Sequence, residues 1–273
     1  MKTIAQLFLI VCLLNISFLK AANENTTTGG KAAAMGGTSV CFSDFWSLNN
    51  NQAGIAEIKK MKIGMYYENR FLTKELGYKA LGFVLPTKSG VFGINYSHYG
   101  YNLYNEQKIG LAYAKSFGKR FSAGLQFDYL GTNIAENYGS KSAFTFEVGI
   151  IAKLTDNVNI GAHFFNPVNA KFNDYNNEKI PSVARLGINY IFSEKLLIAC
   201  ETEKNINYDA ILKLGIEYKI LPFAHARMGI SNNPNIFSFG FGVEYKQFNI
   251  DFSSSVHHIL GYSPQFSLIY TLK

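Results

Sequence analysis

Short segments of alternating apolar and polar residues follow one another from about residue 62 to the end of the chain, and the gaps between them alternate short and long. Residues 121–129 show the pattern cleanly. Phe121, Ala123, Leu125, Phe127 and Tyr129 fall on one face, and Ser122, Gly124, Gln126 and Asp128 on the other. A period of two is a strand with two different faces. One such strand fits any half-buried sheet. About fourteen in series read as an all-β fold, a transmembrane antiparallel barrel, apolar outside and polar inside, with no free edge.

The strands are expected near 62–69, 76–86, 90–98, 107–116, 120–131, 142–154, 157–166, 182–192, 194–203, 208–219, 222–231, 235–245, 247–257 and 263–273. Tight connections alternate with longer ones, the longest being 166–181. Barrels of this kind keep short turns in the periplasm and long loops outside, and an even strand count leaves both chain ends in the periplasm. Tyr113, Tyr190, Tyr218, Tyr245 and Tyr270 all fall on the apolar face near the short-turn ends. Tyrosine prefers the boundary of lipid and water, so the five form an aromatic girdle.

The amino terminus sets the compartment. A basic start at Lys2, an apolar core at 7–14 and small residues Ala21 and Ala22 make 1–22 a signal peptide, too short to span a membrane. Export places the chain in the bacterial outer membrane. Mean hydropathy near zero agrees, because alternation hides the apolar half of a barrel. A secreted β-sandwich is the soluble alternative, and it leaves the alternation of loop lengths unexplained. The net charge of +7 is modest, and its Lys and Arg sit near turns, where they meet the head groups of outer-membrane lipids. Nothing resembles a nucleic-acid-binding stripe. Cys41 and Cys200 are expected to be unpaired, with Cys200 on the apolar face.

Residues 23–60 lack strand alternation and are rich in Gly, Ala and Asn. Small residues let a chain fold back tightly, so this segment is expected to plug the barrel formed by 61–273. Two features of the inward face bear on it. Nearly every strand carries an inward glycine, which marks either close approach by the plug or local strand curvature. Charges of both signs also point in: Glu68, Asp128, Glu147, Arg185, Glu201, Lys213, Glu217, Arg227, Glu244 and Asp251. They make an ion-pair network locking the plug, or a polar conduit. The large inward apolar residues are Tyr66, Phe165 and Phe223.

No catalytic, metal or cofactor constellation emerges. His257 and His258 near Asp251 and Ser253 are read as polar surface, and the chain as a non-enzyme. In the longest loop, Phe172 and Tyr175 among asparagines and charges are expected as an exposed contact for a protein partner.

The segment Gly30 to Val40, with Met35, Gly36 and Gly37, then Asp44, then Asn51, Gln52, Ala53 and Gly54, resembles the amino terminus of FadL-like outer-membrane barrels, and most of all their PorV/PorQ group. That segment typically ends in Met-Gly-Gly, then an acidic residue, then Asn-Pro-Ala-Gly. Here Gln52 replaces the proline, which puts the tight turn in doubt. The resemblance implies a fourteen-stranded barrel with an internal hatch. It also implies a role: PorV-like members serve as partners in type IX secretion, whereas FadL-like transporters pass hydrophobic molecules. A lumen of glycine and charge favours a plugged partner subunit of an export or assembly machine, with protein partners in the outer membrane or periplasm. Passive transport of a hydrophobic ligand is the alternative.

Overall fold

The computed structural model describes residues 26–135, 139–172 and 180–273. Its strands are β1 (Lys62–Asn69), β2 (Gly77–Pro86), β3 (Val91–Gly100), β4 (Tyr104–Phe117), β5 (Phe121–Ile134), β6 (Gly139–Lys153), β7 (Val158–Phe165), β8 (Val183–Ser193), β9 (Leu196–Asn205), β10 (Ile211–Leu221), β11 (Ala224–Ser231), β12 (Ile236–Tyr245), β13 (Phe248–His257) and β14 (Gly261–Thr271). Each pairs antiparallel with its sequence neighbour. β1 pairs with β14, from Lys62 opposite Thr271 to Glu68 opposite Gln265, and closes a barrel of fourteen strands. Closure satisfies the backbone of every strand internally, the condition for crossing hydrocarbon.

Alternation decides which way each side chain points. On β5, Phe127 is 62% exposed while its neighbours Gln126 and Asp128 are buried. Phe144, Leu111, Ile188 and Phe241 continue the exposed apolar face on other strands. In water such a surface would aggregate; in a bilayer it is the lipid-facing wall.

Strand positions agree with the alternation to within a few residues, except near the long-loop ends of β4 and β5. There the ladder runs on to Tyr104 opposite Ile134, and the expected loops at 99–106 and 132–141 shrink. The polar residues involved bond to each other, with Gln107 and Asn133 both donating to the Asn105 side chain. This part of the strand has no greasy face, so alternation could not reveal it.

Short turns, such as 118–120 and 246–247, gather at one end. At the other lie 70–76 and 166–182. The five tyrosines line the lipid-facing side near the short turns. Tyr190, Tyr218 and Tyr245 are exposed, and the Tyr113 hydroxyl donates to the Ser89 carbonyl at 2.7 Å. Phe223 does not enter the lumen; it sits in the tight β10–β11 turn and is half exposed.

Candidate functional site

Residues 26–60 thread the lumen from the long-loop half to the short-turn mouth, where β1 begins. Helix α1 (Gly30–Ala34) leads into a reversal at Gly36 and Gly37, whose φ of +70° and +82° suit glycine. Helix α2 (Ser47–Asn50) and a 3-10 turn (Gln52–Glu57) complete the plug. At the start of α2 the Asp44 carboxylate accepts from the Ser47 backbone N–H at 3.0 Å.

The inward glycines are the seat of this plug. A Cβ on Gly229 would lie 2.2 Å from the Gly36 nitrogen, one on Gly64 2.3 Å from the Phe45 ring, and one on Gly93 2.4 Å from Leu48. Gly161 and Gly124 stand equally close to Val40 and Gln52. Close approach by the plug accounts for most of the inward glycines, whereas Gly110 and Gly242 make room for the wall side chains of Gln126 and Asn95 and of Asp251 and Arg227. Phe45, Trp46, Leu48 and Ile55 form a dry core with Tyr66, Tyr78 and Val84 of the wall. The Trp46 indole N–H donates to Ser267 at 2.7 Å.

Three charged clusters hold the plug. Glu201 accepts from the backbone N–H groups of Ser39 (2.6 Å) and Val40 (2.8 Å), and Lys213 links it to Glu203, which also pairs with Arg185 at 3.0 Å. Glu147 accepts from Gln52 and from His163, each at 2.8 Å, and pairs with Lys108, which stands beside Asp128. Lys31 pairs with Glu217 at 2.9 Å; Glu217 holds Arg227 at 2.5 Å, and Arg227 also pairs with Asp251. Buried charges persist only when paired and hydrogen-bonded. Here several partners come from the plug itself, so the network fixes its position.

Gln52 does not undo the plug's turn. Asn51 takes over, its side chain accepting from the Ala53 N–H at 3.2 Å and donating to the Val40 carbonyl at 2.6 Å. Gly54 packs where a Cβ would meet the Phe42 carbonyl at 2.2 Å. Met35 and Ala53 are fully buried. Cys41 is buried and unpaired, and burial pushes its thiol up to about 12.

Two of the expected lumen charges lie outside the three clusters. Glu244 is at the short-turn mouth, 57% exposed, with His225 at 3.9 Å. Glu68 is at the long-loop end, 3.5 Å from Arg70, which donates to the Thr26 hydroxyl at the start of the plug segment. One expectation is corrected. Phe172 is not an exposed contact: it is 1% exposed, packed among Leu130, Phe165, Ile180 and Val183. Asn166 anchors that loop by donating to Ile180 and accepting from Ala170 and Thr145. Tyr175 lies outside the described residues. Gln126, Asn95 and His163 join the buried network without having been singled out as site residues, although their inward parity was the available signal.

Above the plug, at the long-loop end, lies a cavity of about 740 Å³. Phe71, Val183, Ile211 and Ile236 face it among polar groups that include Glu68, Arg70 and Glu203. A smaller space of about 220 Å³ continues beside α1, lined by Ala33, Gly36, Gly37 and Tyr66. Thr26, Thr27 and Ile236 border both. Its size suits a small molecule.

No protein-family model and no curated protein matches the chain. Solved structures do. The CymD monoaromatic hydrocarbon channel superposes with a TM-score of 0.69 at 13% identity, covering 92% of this chain and 99% of that one. The Pseudomonas putida toluene transporter TodX gives 0.70 at 13% identity, covering 89% and 98%. A Pseudomonas aeruginosa FadL homologue gives 0.62 at 12% identity, covering 90% and 98%. At such identity the likeness is one of fold. The class is therefore a fourteen-stranded transmembrane barrel with an internal amino-terminal plug, sharing its fold with these structures.

Proposed function

We propose that the chain is a non-enzymatic channel of the bacterial outer membrane, with its short turns in the periplasm, that takes up a small hydrophobic molecule from outside. The cavity of about 740 Å³ above the plug carries this reading, because it offers apolar side chains such as Phe71, Val183, Ile211 and Ile236 at the exterior end of the lumen. Its continuation beside α1 reaches the Gly36–Gly37 reversal, so a ligand would travel along the plug's edge, and passage would require that edge to shift. The named functions of CymD and TodX, a monoaromatic hydrocarbon channel and a toluene transporter, support the same reading by analogy of fold.

The PorV/PorQ-like reading, a partner subunit of type IX secretion, rested on the amino-terminal motif and a lumen of glycine and charge, with an exposed aromatic loop as its contact. Phe172 of that loop is buried, so one of its two expected contact residues is not available. Titration of the detergent-solubilised protein with toluene tests the proposal. Trp46, the single tryptophan, sits in the plug and reports its surroundings. Saturable binding that weakens at least tenfold in an Ile211→Asp, Ile236→Asp variant is expected. Absence of saturable binding in the parent would sink the proposal.

A further inference from the structure

The short-turn rim carries an unusual amount of unpaired positive charge. Lys88, Lys119, Arg120, Lys195 and Lys246 lie in or beside the turns, and Lys115 projects from the lipid-facing side of β4, two residues below Tyr113. All six are exposed, and among the described residues none of them makes an ion pair. The acidic residues at this end are Asp156, Glu194 and Glu244, with Glu57 paired to Lys153.

Their height is fixed by the tyrosine belt. The Tyr113 hydroxyl bonds the turn that carries Lys88, and the Lys246 ammonium lies 5.1 Å from the centre of the Tyr245 ring. Tyrosine at the lipid boundary puts these cations at the level of the head groups. Four of the six lie on or beside the neighbouring β2–β3 and β4–β5 turns, two strand spacings or about 10 Å apart, which is close to the screening length at physiological salt. Lys195 and Lys246 stand farther round, on the β8–β9 and β12–β13 turns. Lys115 is on the lipid-facing side of the wall, a place that a lipid phosphate reaches and a protein docked on the mouth of the barrel does not.

We propose that the short-turn rim binds anionic glycerophospholipids, each phosphate resting between a turn lysine or arginine and the tyrosine belt. The assignment to the periplasmic leaflet rests on the orientation proposed above. Lipid binding itself does not, and neither depends on hydrocarbon uptake.

The test is native mass spectrometry of the full chain released from nanodiscs of mixed phosphatidylglycerol and phosphatidylethanolamine. Retained lipid should be enriched in phosphatidylglycerol by about fivefold over the bulk, the scale of one basic side chain at an anionic surface. A variant with all six residues changed to Gln should lose the enrichment and keep its heat-modifiable mobility. A Lys59→Gln, Lys60→Gln control at the mouth of the lumen should retain it. Should the six-residue variant fail to insert, a salt series on the parent decides, since the enrichment must fall as ionic strength rises. Bulk composition in the parent, or enrichment indifferent to both salt and the six changes, would overturn the proposal. Opposite toluene and lipid outcomes would separate this inference from the transport reading.

Discussion

Gly36 of the plug and Gly229 of the wall meet backbone to backbone, so that a Cβ on Gly229 would stand 2.2 Å from the Gly36 nitrogen. At this point the lumen has no room for a side chain on either partner. Gly36 is doubly constrained, because its φ of +70° also lies in the left-handed region. The plug is thus held by fit as well as by charge.

Replacing Gly36 and Gly37 together by Leu tests that fit. Overpacking costs about 1–3 kcal/mol, and left-handed backbone adds to it. The wall's strand ladder does not involve the plug and should persist. The variant should insert, stay heat-modifiable on gels and conduct ions in a planar bilayer where the parent is closed.

Glu201→Ala removes the acceptor for two plug N–H groups and leaves Lys213 with a weaker hold. Breaking a buried charged pair from one side costs about 3–5 kcal/mol. Acrylamide quenching of Trp46 should rise sharply, and protease should cut within 30–60 before the barrel unfolds.

Gln52→Pro restores the residue typical of the resembling family. Asn51 is already extended, with φ −159° and ψ 102°, as a residue before proline requires, and position 52 opens the 3-10 turn. The turn should survive. Loss of the bond from Gln52 to Glu147 should loosen the plug by about 1.5–3 kcal/mol, read as a lower denaturant midpoint for Trp46 fluorescence.

Phe172→Ala separates a packed residue from a docking residue. Truncating a residue packed among Leu130, Phe165, Ile180 and Val183 costs about 3–5 kcal/mol. Protease should then reach the 166–182 loop faster. An exposed docking residue would leave both protease sensitivity and stability unchanged.

The barrel was legible because lipid and water impose opposite demands on alternate residues. Phe127 and Asp128 reveal their faces by chemistry alone. Beyond the greasy band that contrast ends, which is why Asn105 and Asn133 read as loop although both are strand. Inward parity located Glu147, Glu201 and Glu217, and the small residues marked the plug. Which plug group meets which wall group was not legible, since Gln52 with Glu147 and Ser39 with Glu201 depend on the path of a segment without periodicity. Phe172 misled for a related reason: an aromatic in a polar stretch looks exposed, and only the structure shows it packed against Leu130, Phe165 and Ile180.

The most direct measurement of hydrocarbon uptake is a crystal of the protein soaked with bromobenzene, with data collected at the bromine edge. An anomalous peak should appear in the cavity between Ile211, Ile236 and Val183, with the plug in place and Glu201 still bonded to Ser39 and Val40. A well-ordered crystal with no bromine between the plug and the long loops would contradict a hydrocarbon channel.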